Sequence, residues 1–220
     1  MTTTLSGPAC ALGGLVPVER LAGALAGRLR AQGFGTCSVA DRPPSELAAA
    51  AIEELASRFA VTAADVGAVV YGTCSHRAER TDQDVAVRAA LARTGLAGVR
   101  CHGVWLGESG NLGGAFRLAR ALLREERGVL VVLADAVPDR PGEYRAMPNA
   151  VAVNGDGAVA CLLSTVRSGQ YVVEEIGTHA NRRWPRRAAV PVCANTWSSW
   201  PGCAAPSRSC RADPRTTTGW

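Results

Sequence analysis

Few side chains in this 220-residue chain combine a reactive group with a placement that suits chemistry. Ser109 lies in "GESGNLGGA", Gly107 to Ala115, between the apolar run "VRCHGVWL" and the segment "FRLARALLREER". That order is strand, tight turn, helix. A serine on such a turn is either a nucleophile presented by the bend or a helix cap. Serine is a weak acid and needs a general base within hydrogen-bond reach, whereas a thiol ionises more easily, above all at a helix amino-terminus. Cys74 ends an apolar run, where it can line a pocket and rival Ser109 as nucleophile; Cys101 lies inside a run and reads as packing. His76, in "GTCSHRAER", follows a strand, and loops at the carboxyl ends of parallel strands line ligand crevices. Cys74 and His76 are therefore the expected substrate-contacting residues. His102 sits within "VRCHGVWL" and reads as a core or edge residue.

Two general motifs fail at Ser109. The G-x-S-x-G elbow would need glycine where Asn111 stands, and a phosphate loop would need a lysine, of which the chain has none.

The elements that would position these residues alternate along the chain. A Pro-interrupted strand or loop opens it, followed by a helix from about Val18 to Gln32. Pro43 and Pro44 break the chain, Ser45 is placed to cap, and Glu46 to Phe59 forms an amphipathic helix. The continuous apolar run Val66 to Tyr71 fits a central parallel strand buried on both faces. A helix beginning at Thr81 or Asp82 ends before Gly95. Then come the strand "VRCHGVWL", a helix from about Asn111 to Arg127, and the buried strand "GVLVVLAD", whose end at Asp135 opens a polar loop. "AVAVNGDGAVACLLST" reads as two strands around the turn Asn154 to Gly157, with Asp156 as a turn former, and "QYVVEEIG" as a last strand. The class is α/β.

Composition removes several functions. The net charge of +5 is concentrated at one end: residues 1–181 hold 17 Arg and 18 acids, residues 182–220 hold 7 Arg and one Asp. The body has no basic face for nucleic acid. No run of 18 apolar residues is present and no charged leader precedes an apolar core, so neither a membrane partner nor a secretory signal is expected and the cytoplasm is the default. Cys193, Cys203, Cys210 and His179 have irregular spacing and no C-x-x-C pair, so no metal site is expected. From about His179 onward the text carries four of the five Trp, three of the eight Cys and no hydrophobic period. It reads as GC-rich coding sequence translated out of phase, with a disordered basic tail as the alternative.

The order of "ADVGAVVYGTCS", "VRCHGVWLGESGNLGGAFRLARALL", "GVLVVLAD" and "NGDGAVACLLS" resembles the amino-terminal half of the thiolase-fold condensing enzymes. The type is ketoacyl-ACP synthase III, with its acyltransferase-like relatives of antibiotic pathways. The resemblance covers roughly residues 5–178. It implies a layered sheet with flanking helices for 1–178, followed by an irregular tail over 179–220. In that family a strand delivers a cysteine to the amino-terminus of a buried helix followed by an Ala-Leu-x-x-Ala pattern. Laying "GGAFRLARALL" on that helix places Ser109 at the cysteine's position, to within one residue. The family's histidine and its asparagine or second histidine belong to the other half, and nothing after His179 resembles it. The resemblance implies acyl transfer or condensation of an acyl thioester, from CoA or an acyl carrier protein as substrate and without a further cofactor, in polyketide or other specialised metabolism. It also implies a homodimer, or a heterodimer in which this chain is an accessory subunit of a full-length ketosynthase. A chain limited to this half is expected to lack activity alone.

Overall fold

The computed structural model describes residues 2–75, 83–105, 111–137, Arg145 and 152–176. Ser109, His76 and the segment from 177 onward lie outside the described residues.

Eight strands and five α-helices are described, in the order β1 (Thr3–Leu12), β2 (Gly14–Pro17), α1 (Val18–Leu21), α2 (Ala26–Ala31), β3 (Thr36–Val39), α3 (Pro44–Phe59), β4 (Ala68–Gly72), α4 (Gln83–Arg93), β5 (Arg100–Val104), α5 (Asn111–Leu122), β6 (Gly128–Asp135), β7 (Gly157–Ser164) and β8 (Tyr171–Val173). Six of the strands form one sheet in the order β5-β4-β6-β7-β1-β8, and β2 pairs with β3 apart from it. The class is α/β, as the alternation of patterns implies.

β4 runs parallel to both β5 and β6, so its five buried residues lie centrally between two parallel neighbours. Strand alternation then sorts side chains by parity. Val69, Tyr71, Leu130, Val132, Ala160 and Leu162 join one core with Leu47, Ala51, Ile52 and Leu55 of α3 and Val87 and Leu91 of α4. Ala68, Val70, Val129, Val131, Cys161 and Leu163 join the other with Ala115 and Ala119 of α5. Small residues one turn apart let α5 lie close on the sheet; a Cβ on Gly114 would stand 3.3 Å from Val104 Cγ1. Gly128 at the start of β6 has a sharper requirement, because a Cβ there would meet the Asp65 carbonyl oxygen.

The structure corrects several sequence expectations. The helix expected from Val18 to Gln32 is broken into α1, a 3-10 turn at Gly23–Leu25 and α2; Gly23 sits at φ +49°, a conformation that interrupts a regular helix. β3 was not expected, being four residues long and poor in apolar side chains. Ser45 does not cap α3: Pro43 takes the cap position, Pro44 is the first helical residue and Ser45 is buried within the first turn. Of the two strands expected around residues 154–157, the second is β7, whereas the first is reduced among the described residues to a bridge at Val153. β7 pairs antiparallel with β1 and β6, partners 145 to 160 and 22 to 36 positions away in the chain, rather than with an adjacent hairpin strand.

Gly95 behaves as the sequence implies. Its φ is +78°, its N–H donates to the Ala92 carbonyl and the Leu96 N–H donates to the Leu91 carbonyl, a Schellman closure of α4. Among the described residues no helix is long and apolar enough to cross a membrane.

Candidate functional site

The carboxyl ends of β4 and β6 and the first turn of α5 converge on one set of polar groups. Chain direction dictates this: two parallel strands end side by side, and the helix that crosses behind them begins at the same edge. Asp135 is the last residue of β6. Its Oδ1 accepts hydrogen bonds from Thr73 Oγ1 (3.0 Å), the Cys74 amide (2.5 Å), the Ser75 amide (3.0 Å) and Ser75 Oγ (2.9 Å). A carboxylate oxygen with four donors acts as an anchor for the 73–75 loop. Ser75 Oγ in turn accepts the Ala136 amide at 2.9 Å, closing the loop onto the chain beyond β6.

Asn111 is the first residue of α5 and is buried. Its Nδ2 donates to the Thr73 carbonyl at 3.0 Å and to Cys74 Sγ at 3.3 Å. Cys74 itself is exposed. The thiol thus combines access to solvent with a side-chain amide donor aimed at its sulfur.

A second carboxylate lies beside the first. Asp156 Oδ1 accepts the Val137 amide and Asp156 Oδ2 the Ala40 amide, both at 2.8 Å. The Arg145 guanidinium meets both oxygens at 2.9 Å, with side-chain exposures of 10% and 1% for the two partners. Asp156 is therefore a junction of four chain segments. The sequence placed it as a turn former, because partners this distant leave no mark in a local pattern. Burial pulls the Arg145 pKa down, but its hydrogen bonds and charge contact with Asp156 outweigh this and leave it above the ordinary value. Burial raises the pKa of Cys37, whose Sγ lies 3.2 Å from the Asn154 carbonyl, with Arg145 offsetting part of the rise.

Of the residues singled out from sequence, Cys74 is the one the structure places in this constellation. His76 and Ser109 fall outside the described residues, each a residue or two beyond described members of the site, Ser75 and Asn111. Cys101 lies exposed on the edge strand β5, and desolvation by its surroundings still raises its thiol pKa, offset in part by Arg88. His102 is half-buried on the same strand and its Nε2 has no hydrogen-bond partner among the described residues. Asn111 and Asp135 were missed as site residues. The signals were their positions, at a helix start and a strand end, with nothing local to say that the two ends meet. Among the described residues no group of three or more His, Cys, Asp or Glu could hold a metal ion.

Comparison with known structures places the fold in a class. No protein-family model matches the sequence, and no curated protein matches it. Among solved structures, the chain is similar to ChlB3, an acyltransferase, with 25% identity and a TM-score of 0.64 over 76% of this chain and 51% of that one. It is similar to AbyA1, a tetronic acid condensing enzyme, with 24% identity and a TM-score of 0.60 over 76% of this chain and 56% of that one. It is also similar to the priming β-ketosynthase of the R1128 polyketide biosynthetic pathway, with 17% identity and a TM-score of 0.62 over 74% of this chain and 49% of that one. The chain therefore has the thiolase-like fold that the sequence resemblance implied, shared with ketoacyl-ACP synthase III structures and their acyltransferase-like relatives. It spans about half the length of the structures it matches.

Proposed function

We propose that this chain is the amino-terminal half of a ketoacyl-ACP-synthase-III-like acyl-transfer enzyme of specialised metabolism. The observation that carries the proposal is the meeting of the β4 and β6 ends with the first turn of α5 at Cys74, Asn111 and Asp135. Ser109 stands two residues before that turn in the sequence, within one residue of the family's nucleophile position by the sequence resemblance. The whole enzyme would accept an acyl group from CoA or an acyl carrier protein. Ser109 Oγ attacks the thioester carbonyl as a base takes its proton, and the base returns that proton to the leaving sulfur, which departs as CoA–SH or carrier–SH. Cys74 and His76 would line the acyl site. An oxyester on serine suits simple transfer or a priming role as well as carbon–carbon bond formation. The similarity to an acyltransferase and to a condensing enzyme supports that range.

The test is incubation with radiolabelled acyl-CoA. Label retained by the wild-type chain and lost in Ser109→Ala supports the proposal. Absence of label on both excludes acyl transfer by this chain alone.

A second reading draws on the exposed apolar surface beside the edge strand β5, where Trp105 and Leu112 are about half exposed. In it the chain is a non-catalytic subunit of a full-length ketosynthase. Co-purification of the two at fixed stoichiometry would favour it, and recovery of the chain without a ketosynthase would refute it.

A further inference from the structure

The two carboxylates at the carboxyl end of the sheet are joined by three residues of chain. Asp135 holds the loop that carries Cys74. The next amide, of Ala136, donates to Ser75 Oγ in that loop. The amide after it, of Val137, donates to Asp156. Whatever fixes Asp156 therefore fixes one end of a short segment whose other end holds the candidate site.

Ser38 holds the Asp156 main chain, its Oγ donating to the Asp156 carbonyl at 2.6 Å and its carbonyl accepting the Asp156 amide at 2.9 Å, and Arg145 is the side chain that holds the carboxylate. Each Asp156 oxygen accepts one backbone amide and one guanidinium N–H, so the guanidinium fork sets the plane of the carboxylate. Stability alone is a poor explanation for this pair. Burying two charges costs desolvation that their attraction offsets only in part, and well-packed apolar residues of similar volume commonly do as well. Direction is what an apolar pair cannot supply. The Arg145 main chain takes part too: its carbonyl accepts the Asn154 amide at 2.7 Å, and its Nη1 lies 3.4 Å from the Asn154 carbonyl.

We propose that Arg145 is a positioning residue of the candidate site, acting through Asp156 and the 135–137 segment on the loop that bears Cys74. The proposal rests on this end of the sheet being the functional end, but its test needs no acyl donor. Failure of acyl labelling would leave the outcome below unaffected, and the reverse holds as well. Lysine could keep the charge, but as a single point donor it cannot hold both oxygens.

The experiment is native-state hydrogen exchange on the full chain, comparing wild type with Arg145→Met and Arg145→Lys. Three groups of amides are followed: Val137 and Ala40, which bond Asp156 directly; Cys74 and Ser75, which bond Asp135; and the β4–β6 ladder as the control for the fold. Positioning predicts that the Cys74 and Ser75 amides exchange about tenfold faster in Arg145→Met, and at least in part so in Arg145→Lys, while the ladder is unchanged. Iodoacetamide should then alkylate Cys74 at an altered rate relative to Cys101. A merely structural tie would speed exchange at Val137 and Ala40 alone. Wild-type exchange at Cys74 and Ser75 in both variants would overturn the proposal. Should Arg145→Met fail to fold, Arg145→Lys decides by the same criterion.

Discussion

One face of the main sheet lies under α3 and α4, the other under α5. Under α3, Leu47, Ala51 and Leu55 are at most 1% exposed and reach β1, β6 and β7 together. Under α5 the contact is narrower. Ala115 and Ala119 are fully buried, Phe116, Leu118 and Leu122 are only partly so, and Leu112 is 49% exposed. Among the described residues, the α3 face is thus closed by residues of this chain, and the α5 face is closed only where the helix touches the sheet. The candidate site opens at the amino-terminal end of the helix on the less covered face. A half-covered helix leaves room for a substrate or a second protein layer, which a helix covered like α3 does not.

Substitutions sharpen this contrast. Leu55→Ala, in the closed face, is expected to cost about 3 kcal/mol in a denaturation experiment. Asp135→Ala removes the acceptor of four donors at the open end. It should cost about 2 kcal/mol, with faster exchange confined to the 73–75 loop. A global loss without local loosening would show that Asp135 is no anchor.

Alkaline titration probes how dry the sheet is beneath α5. Burial pushes the Cys161 thiol up to about 12 from 9.0. Below pH 9 both folded and unfolded chains keep this thiol neutral. Above it the unfolded chain ionises while the folded one does not, so stability falls by roughly 1 kcal/mol per pH unit as pH rises toward 12. Cys161→Ala should flatten that slope; an unchanged slope would contradict a dry interface.

At the closed face, Asp65 accepts the Thr62 amide and hydroxyl at 2.8 and 2.9 Å and pairs with Arg167. The Thr62 amide bond is the main cause that holds its pKa below 3.8. Its contribution is present at neutral pH and is lost as pH falls through that lowered value. Asp65→Asn is expected to cost about 1 kcal/mol at pH 7 and nothing in strong acid. The smallest effect should come from Leu112→Ala, within about 0.5 kcal/mol, because its side chain is already half in water. A larger loss would mean that α5 is covered after all.

The same contrast explains what was legible in the sequence. β4 and β6 announce themselves as continuous apolar runs, α3 by its period and α4 by Gly95, since each signal is local. The α1–α2 break depends on one glycine's backbone angle, and β3 on pairing with β2, so neither shows in hydrophobic period. The site was visible as separate ends: Cys74 after a strand, Asp135 at another, Asn111 at a helix start. Their meeting depends on the parallel register of β4 and β6, in which Gly72 stands opposite Leu133 and brings the next residues of each strand together. Asp156 shows locally only as a turn residue and Arg145 not at all, because their junction exists only once Ala40 and Val137 have been brought to the same place.

The proposed function requires an acyl thioester to bind where β4 and β6 end and α5 begins. Hydrogen exchange of the full chain with and without a millimolar acyl-CoA tests it most directly. Slower exchange at Cys74, Ser75 and the first turn of α5, with α3 unchanged, is the predicted result. Protection elsewhere, or none at these amides, would contradict the claim.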